Sequence, residues 1–100
     1  MKFMNSSLPL NFRTLDLNLL RVFDVVMAER SLTRAARRLA LTQPAISNAM
    51  RRLRDTLHDE LVTRQGMVLV PTPRAEYLWP VIRSALQQLE QTLAPTEFNA

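Results

Sequence analysis

Ser31-Leu32-Thr33-Arg34-Ala35-Ala36-Arg37-Arg38-Leu39-Ala40-Leu41-Thr42-Gln43-Pro44-Ala45-Ile46-Ser47-Asn48-Ala49-Met50-Arg51 is the stretch on which the fold turns. Ser31 is a helix N-cap, its hydroxyl able to accept from an orphan backbone N–H of the first turn. The spacing then predicts a short helix over 32–39 with Leu32, Ala35, Ala36 and Leu39 inward. Alanines on that face let a second helix cross closely, with Ala36 at the crossing. Ala40-Leu41 makes a tight turn, at a place where many such motifs carry glycine. Thr42 caps a third helix, and Pro44 falls in its first turn, where the missing N–H would have no partner anyway. Ile46, Met50, Leu53 and Leu57 form its inward stripe; Pro44, Ser47, Asn48, Arg51 and Asp55 lie opposite, with Arg52 beside them. Two short helices joined this way, the second polar and basic outside, make a helix-turn-helix over 32–51.

Upstream, a helix is predicted from Asp16 as N-cap to about Glu29. Leu19, Leu20, Val22, Phe23, Val26 and Met27 fall on its inner side, and Asn18, Arg21 and Asp24 on its outer side. Residues 1–14 read as a flexible arm, polar and interrupted by Pro9. Downstream, Leu61–Gln65, Gly66 and Met67–Val70 read as a β-hairpin, a wing, with Gly66 supplying a positive φ. Thr72-Pro73 then starts a long linker helix over 73–94, ended by Pro95 and followed by a tail to residue 100. Pro80 inside it removes a backbone bond or kinks it. Trp79 and Tyr77 are expected to pack beside its apolar stripe. The expected architecture is mainly α: a winged helix-turn-helix over 15–72 and a long C-terminal linker helix.

Ala75, Leu78, Ile82, Ala85, Leu86, Leu89 and Leu93 form a stripe on that last helix longer than so small a core can cover. A second copy of the chain is the expected cover, making these the dimerisation residues.

Charge narrows the function. Seven of the thirteen cationic residues, Arg30, Arg34, Arg37, Arg38, Arg51, Arg52 and Arg54, fall in one run without an acid, leaving six positive and nine negative charges elsewhere. Such a segment suits phosphates and guanine edges. With no Cys, one His (His58) and one Gly (Gly66), thiolate metal sites, cysteine nucleophiles, multi-His sites and glycine-rich phosphate loops are excluded, and with them an enzyme reading. His58 reads as a helix-terminal cation. No run of about 18 apolar residues spans a membrane, and the start lacks the apolar core of a secretory signal, so a cytoplasmic protein is expected. On the residues alone two readings stay open: a module that binds double-stranded DNA, and a helical adaptor whose basic face meets an acidic protein.

Leu17-Asn18-Leu19-Leu20-Arg21-Val22-Phe23, Ser31-Leu32-Thr33-Arg34-Ala35-Ala36, Leu41-Thr42-Gln43-Pro44-Ala45-Ile46-Ser47 and Thr72-Pro73-Arg74-Ala75 resemble the LysR-type transcriptional regulators, continuously from residue 15 to about 93. Asn48 stands where Arg is frequent, and Arg52-Leu53-Arg54 where Arg-Leu-Glu is usual. With Gly66-Met67 before Pro71-Thr72-Pro73, this resembles the branch of aromatic-catabolism and nodulation regulators. The resemblance implies a DNA-binding dimer joined through its linker helices, reading interrupted palindromes with a T-N-A pattern. It also implies a further C-terminal domain that binds a small-molecule coinducer and supports tetramers. No cofactor or metal is expected in this chain, which reads as an excised DNA-binding fragment of such a regulator.

By position, the resemblance puts Gln43, Pro44, Ala45, Ser47, Asn48 and Arg51 toward base edges. Gln43 offers adenine a donor and an acceptor at once, while Pro44 and Ala45 can touch thymine methyls. It puts Ser31, Thr33, Arg34, Thr42 and Arg52 toward the DNA backbone, with Arg64 on the wing near the minor groove. Asp55 lies a turn further along and clear of the DNA.

Overall fold

A computed structural model describes residues 10–95 of the chain. The expectations for the arm before residue 10 and for the tail beyond residue 95 lie outside the described residues. Within the expected arm, Phe12–Thr14 form a 3-10 turn capped by Asn11, whose Oδ1 accepts from the Arg13 N–H at 3.1 Å. Helices α1 (Leu17–Glu29), α2 (Leu32–Leu39) and α3 (Gln43–Leu57) follow. Strands β1 (Val62–Gln65) and β2 (Val68–Pro71) and helix α4 (Pro73–Leu93) complete the order, a winged helix-turn-helix with a long last helix.

The caps sit where the sequence places them. Asp16, Ser31, Thr42 and Thr72 each turn a side-chain oxygen back onto a first-turn N–H. The first three helices end at Glu29, Leu39 and Leu57, where the sequence reading ends them, although the residues that follow, Arg30, Ala40 and His58, all stand in the left-handed region that glycine prefers. At Ala40 (φ 57°) the Leu41 N–H reaches the Ala36 carbonyl at 2.9 Å and the Ala40 N–H reaches that of Arg37 at 3.2 Å. That double closure lets the α2–α3 turn keep its tight form without glycine.

α1, α2 and α3 pack around one core. Phe23, Val26, Met27, Ile46, Met50, Leu53 and Leu61 are its largest fully buried side chains, and Ala35 and Ala36 are buried where the helices meet. Leu61 begins no strand, contrary to the sequence expectation. It takes φ 66° and drops its side chain into the core, while the Asp59 carboxylate accepts its N–H at 2.9 Å. The hairpin therefore pairs one residue later, Val62 with Pro71 through Gln65 with Val68, around Gly66 (φ 67°) and Met67.

Two expectations for α1 and α4 need correcting. Val25 is buried and Asp24 half-buried, although the helical wheel put Asp24 outside, because α4 returns along that side of α1. For the same reason the expected dimerisation stripe is partly internal. Ala75 is fully buried in the chain's own core, and Leu78, Trp79 and Ile82 pack against it. Tyr77 packs on nothing comparable and is 77% exposed. α4 runs unbroken through Pro80, so the proline removes one N–H, that facing the Glu76 carbonyl, without ending the helix.

Candidate nucleic-acid interface

Seating Ile46, Met50 and Leu53 in the core raises the opposite side of α3 as a continuous outer face. Gln43, Pro44, Ala45, Ser47, Asn48 and Arg51 are all exposed, as are Thr42 and Arg52 beside them. α2 adds exposed Thr33 and Arg34 and half-buried Ser31. Arg64 is exposed on β1.

Much of this surface is pre-arranged by its own hydrogen bonds. The Ser31 and Thr42 hydroxyl oxygens accept from the Arg34 and Ala45 N–H groups at 3.1 and 3.2 Å, which leaves each hydroxyl proton free to donate outward. The Thr33 hydroxyl donates to Gln43 Oε1 at 3.3 Å across the turn. A threonine has one such proton, so in this arrangement Thr33 serves Gln43 and has nothing left to donate to a phosphate. The Gln43 amide N–H₂ and the second lone pair of Oε1 remain available. Further along, the Arg51 guanidinium donates to Asn48 Oδ1, joining these two neighbours into one polar group.

The cations divide into held and unheld. Glu29 pairs with Arg34 at 3.5 Å and with Arg38 at 3.1 Å, and its carbonyl oxygen also accepts from Arg34 at 3.2 Å. Asp16 lies 3.8 Å from Arg52, and Glu60 lies 4.0 Å from Arg54. Among the described residues Arg37, Arg51 and Arg64 have no carboxylate within ion-pair distance. The sequence reading counts Arg37 in the basic run but gives it no DNA-facing position; it stands exposed one turn after Thr33 on the same side of α2. It also missed the acids that hold Arg34 and Arg52, because Glu29 and Asp16 lie outside the arginine run. Chemically the arrangement presents hydrogen-bond donors and acceptors at helical spacing, rimmed by guanidinium groups. No group of acids and histidines that could hold a metal occurs among the described residues. No described helix is long and apolar enough to cross a membrane.

Residues 17–76 match the family described as "Bacterial regulatory helix-turn-helix protein, lysR family". The chain is 54% identical over 86 residues to Nodulation protein D 3 of Rhizobium leguminosarum bv. phaseoli, a match covering 86% of this chain and 28% of that protein. The chain thus spans little more than a quarter of that relative's length. Among solved structures, a probable transcriptional regulator from Pseudomonas aeruginosa superposes with a TM-score of 0.80 at 46% identity, over 82% of this chain and 28% of that one. The BenM DNA-binding domain, in complex with catB site 1 DNA, superposes at 0.74 with 28% identity, over 79% of this chain and 89% of its own.

Proposed function

The chain belongs to the LysR family of bacterial transcriptional regulators, and from that premise we propose that it binds double-stranded operator DNA through α3 laid in the major groove. The observation that carries this is the outer face of α3, polar, exposed and internally oriented by the Thr33–Gln43 and Asn48–Arg51 hydrogen bonds. The solved complex of the BenM domain with DNA supports the same use of the fold. Gln43, Pro44, Ala45, Ser47, Asn48 and Arg51 face base edges. Ser31, Thr42, Arg34 and Arg52 meet phosphates, the two arginines exchanging Glu29 and Asp16 for phosphate oxygens, and Arg64 grips the backbone from the wing. Thr33 acts through Gln43 rather than on a phosphate.

The chain pairs with a second copy along α4. The ridge that remains exposed there keeps Ala85, Leu89 and Leu93 of the stripe the sequence suggested and adds Tyr77 and Val81. Tyr77, Val81, Ala85, Leu89 and Leu93 recur every four residues and are all exposed, Tyr77 by 77%, Val81 by 68% and Leu93 by 77%. Residues four apart form the ridges by which helices interlock. A shallow depression lined by Pro80, Val81, Ser84, Ala85 and Gln88 flanks the ridge and suits a partner ridge. Two recognition helices about 34–36 Å apart would then favour an inverted repeat. A coinducer, where one acts, binds in the part of the longer relatives that this chain does not span, and the working compartment is the cytoplasm.

Selection of bound sites from random duplex DNA tests this reading. Enrichment of an inverted repeat is expected. No enriched sequence, together with no salt-dependent shift on generic duplex DNA, would leave the basic face to an acidic protein partner instead.

A further inference from the structure

One carboxylate joins the first helix to the last. Asp24 Oδ1 accepts from the Trp79 indole N–H at 2.7 Å and from the Arg83 guanidinium at 3.0 Å. The Arg83 guanidinium also lies 5.5 Å from the Trp79 ring centre, within cation–π range. Asp24 is 18% and Arg83 37% exposed at the side chain, so the cluster is partly screened from water. Past it the close packing of α4 opens into a groove, in which Leu86, Leu89 and Leu93 face Arg21, Val25 and Leu39. Before it, Ala75, Leu78 and Ile82 are seated on the core; beyond it, residues 84–93 are exposed except for half-buried Leu86.

We propose that Asp24, Trp79 and Arg83 are positioning residues that set the half-site spacing accepted by the dimer, by fixing the angle at which α4 leaves the DNA-reading unit. The inference rests on the reading of α4 as the dimer arm. Geometry gives it leverage. Residues 84–93 of α4 at about 1.5 Å each make an arm of roughly 15 Å, so a tilt of about 15° moves its end by about 4 Å. That exceeds one base-pair step of about 3.4 Å. Apolar contacts at Ala75, Leu78 and Ile82 tolerate such a tilt because they are non-directional. Two hydrogen bonds to one oxygen do not, since they weaken steeply when misaligned.

Spin labelling at Asp55→Cys tests this directly, because the chain has no other cysteine and Asp55 is exposed on α3. The wild-type dimer is expected to give one narrow label-to-label distance distribution, and Asp24→Ala or Trp79→Phe a broader one. Trp79→Phe keeps an aromatic ring on the core while deleting the indole N–H and part of the ring, so it serves if Asp24→Ala fails to fold. In parallel, duplexes carrying the selected half-sites are varied in spacing one base pair at a time. Wild type should lose on the order of tenfold in affinity two base pairs from its best spacing, and the variants clearly less, with affinity for a lone half-site unchanged. Absence of any dipolar signal would remove the dimer reading and the inference with it. A dimer whose distance width and spacing profile are unaffected in both variants would overturn the inference alone.

Discussion

The outer faces of α3 and α4 put one local design to opposite uses. Both helices begin on a threonine cap with proline in the first turn, and both seat an apolar stripe on the same core. Away from the core, α3 shows Gln43, Ser47, Asn48 and Arg51, whereas α4 shows Tyr77 and Val81, with Leu89 and Leu93 exposed along its end beyond the core. Water solvates the first set well, so only a partner with a matching pattern of donors and acceptors gains by displacing it. Water disfavours the second set, so any apolar surface of the right shape gains by covering it. The inner stripe decides where a helix sits; the outer face decides what class of surface comes to it.

The comparison breaks hardest at Val81. Val81→Asp puts a charge on the exposed ridge without touching the core, so the fold should persist while the dimer is lost. Linking two binding units is worth roughly 10²–10⁴ in affinity, and the loss on a two-half-site duplex should be of that order. Sedimentation reads the first effect and titration the second. A variant that still sediments as a dimer would show that the ridge is not the contact. Ile46→Ala attacks the inner stripe of α3 instead. Ile46 is fully buried, so unfolding by urea should show a loss of about 2–5 kcal/mol. A loss well under 1 kcal/mol would mean that this stripe is not what seats α3.

How much of this the sequence discloses depends on how local each cause is. The caps at Ser31, Thr42 and Thr72 are readable because a hydroxyl acts within three residues of itself. The outer face of α3 is readable for a similar reason, since helical periodicity fixes it once the stripe is known. Leu61 is not readable: its left-handed turn depends on Asp59 accepting its N–H, and no glycine marks it. Asp24 is hidden more deeply, because its partners lie 55 and 59 residues away on α4. The α4 stripe misleads most. Ala75 and Leu93 carry the same periodic signal, yet one is buried in its own core and the other is 77% exposed. A stripe records that something covers it, not which molecule does.

Smaller effects sharpen the contrast. Ala40→Gly relieves the left-handed strain in the α2–α3 turn and should stabilise the fold by roughly 0.5–1 kcal/mol in thermal melts, leaving DNA affinity unchanged. A destabilised variant would show that the turn carries no such strain. Arg64 lies exposed on the wing with no carboxylate within ion-pair distance among the described residues. Arg64→Ala should weaken binding to selected and random DNA alike. It should also lower the slope of log affinity against log salt by about one per protomer. An unchanged slope would remove Arg64 from the backbone contacts.

The most direct test of α3 as the reading helix is Gln43→Ala, titrated at several salt concentrations on the selected site and on random duplex DNA. Gln43 carries no charge and is exposed at the first turn of α3, held by the Thr33 hydroxyl. The loss should be about 1–3 kcal/mol on the selected site and slight on random DNA, with the salt slope unchanged. An equal loss on both DNAs would contradict the assignment of base reading to this end of α3.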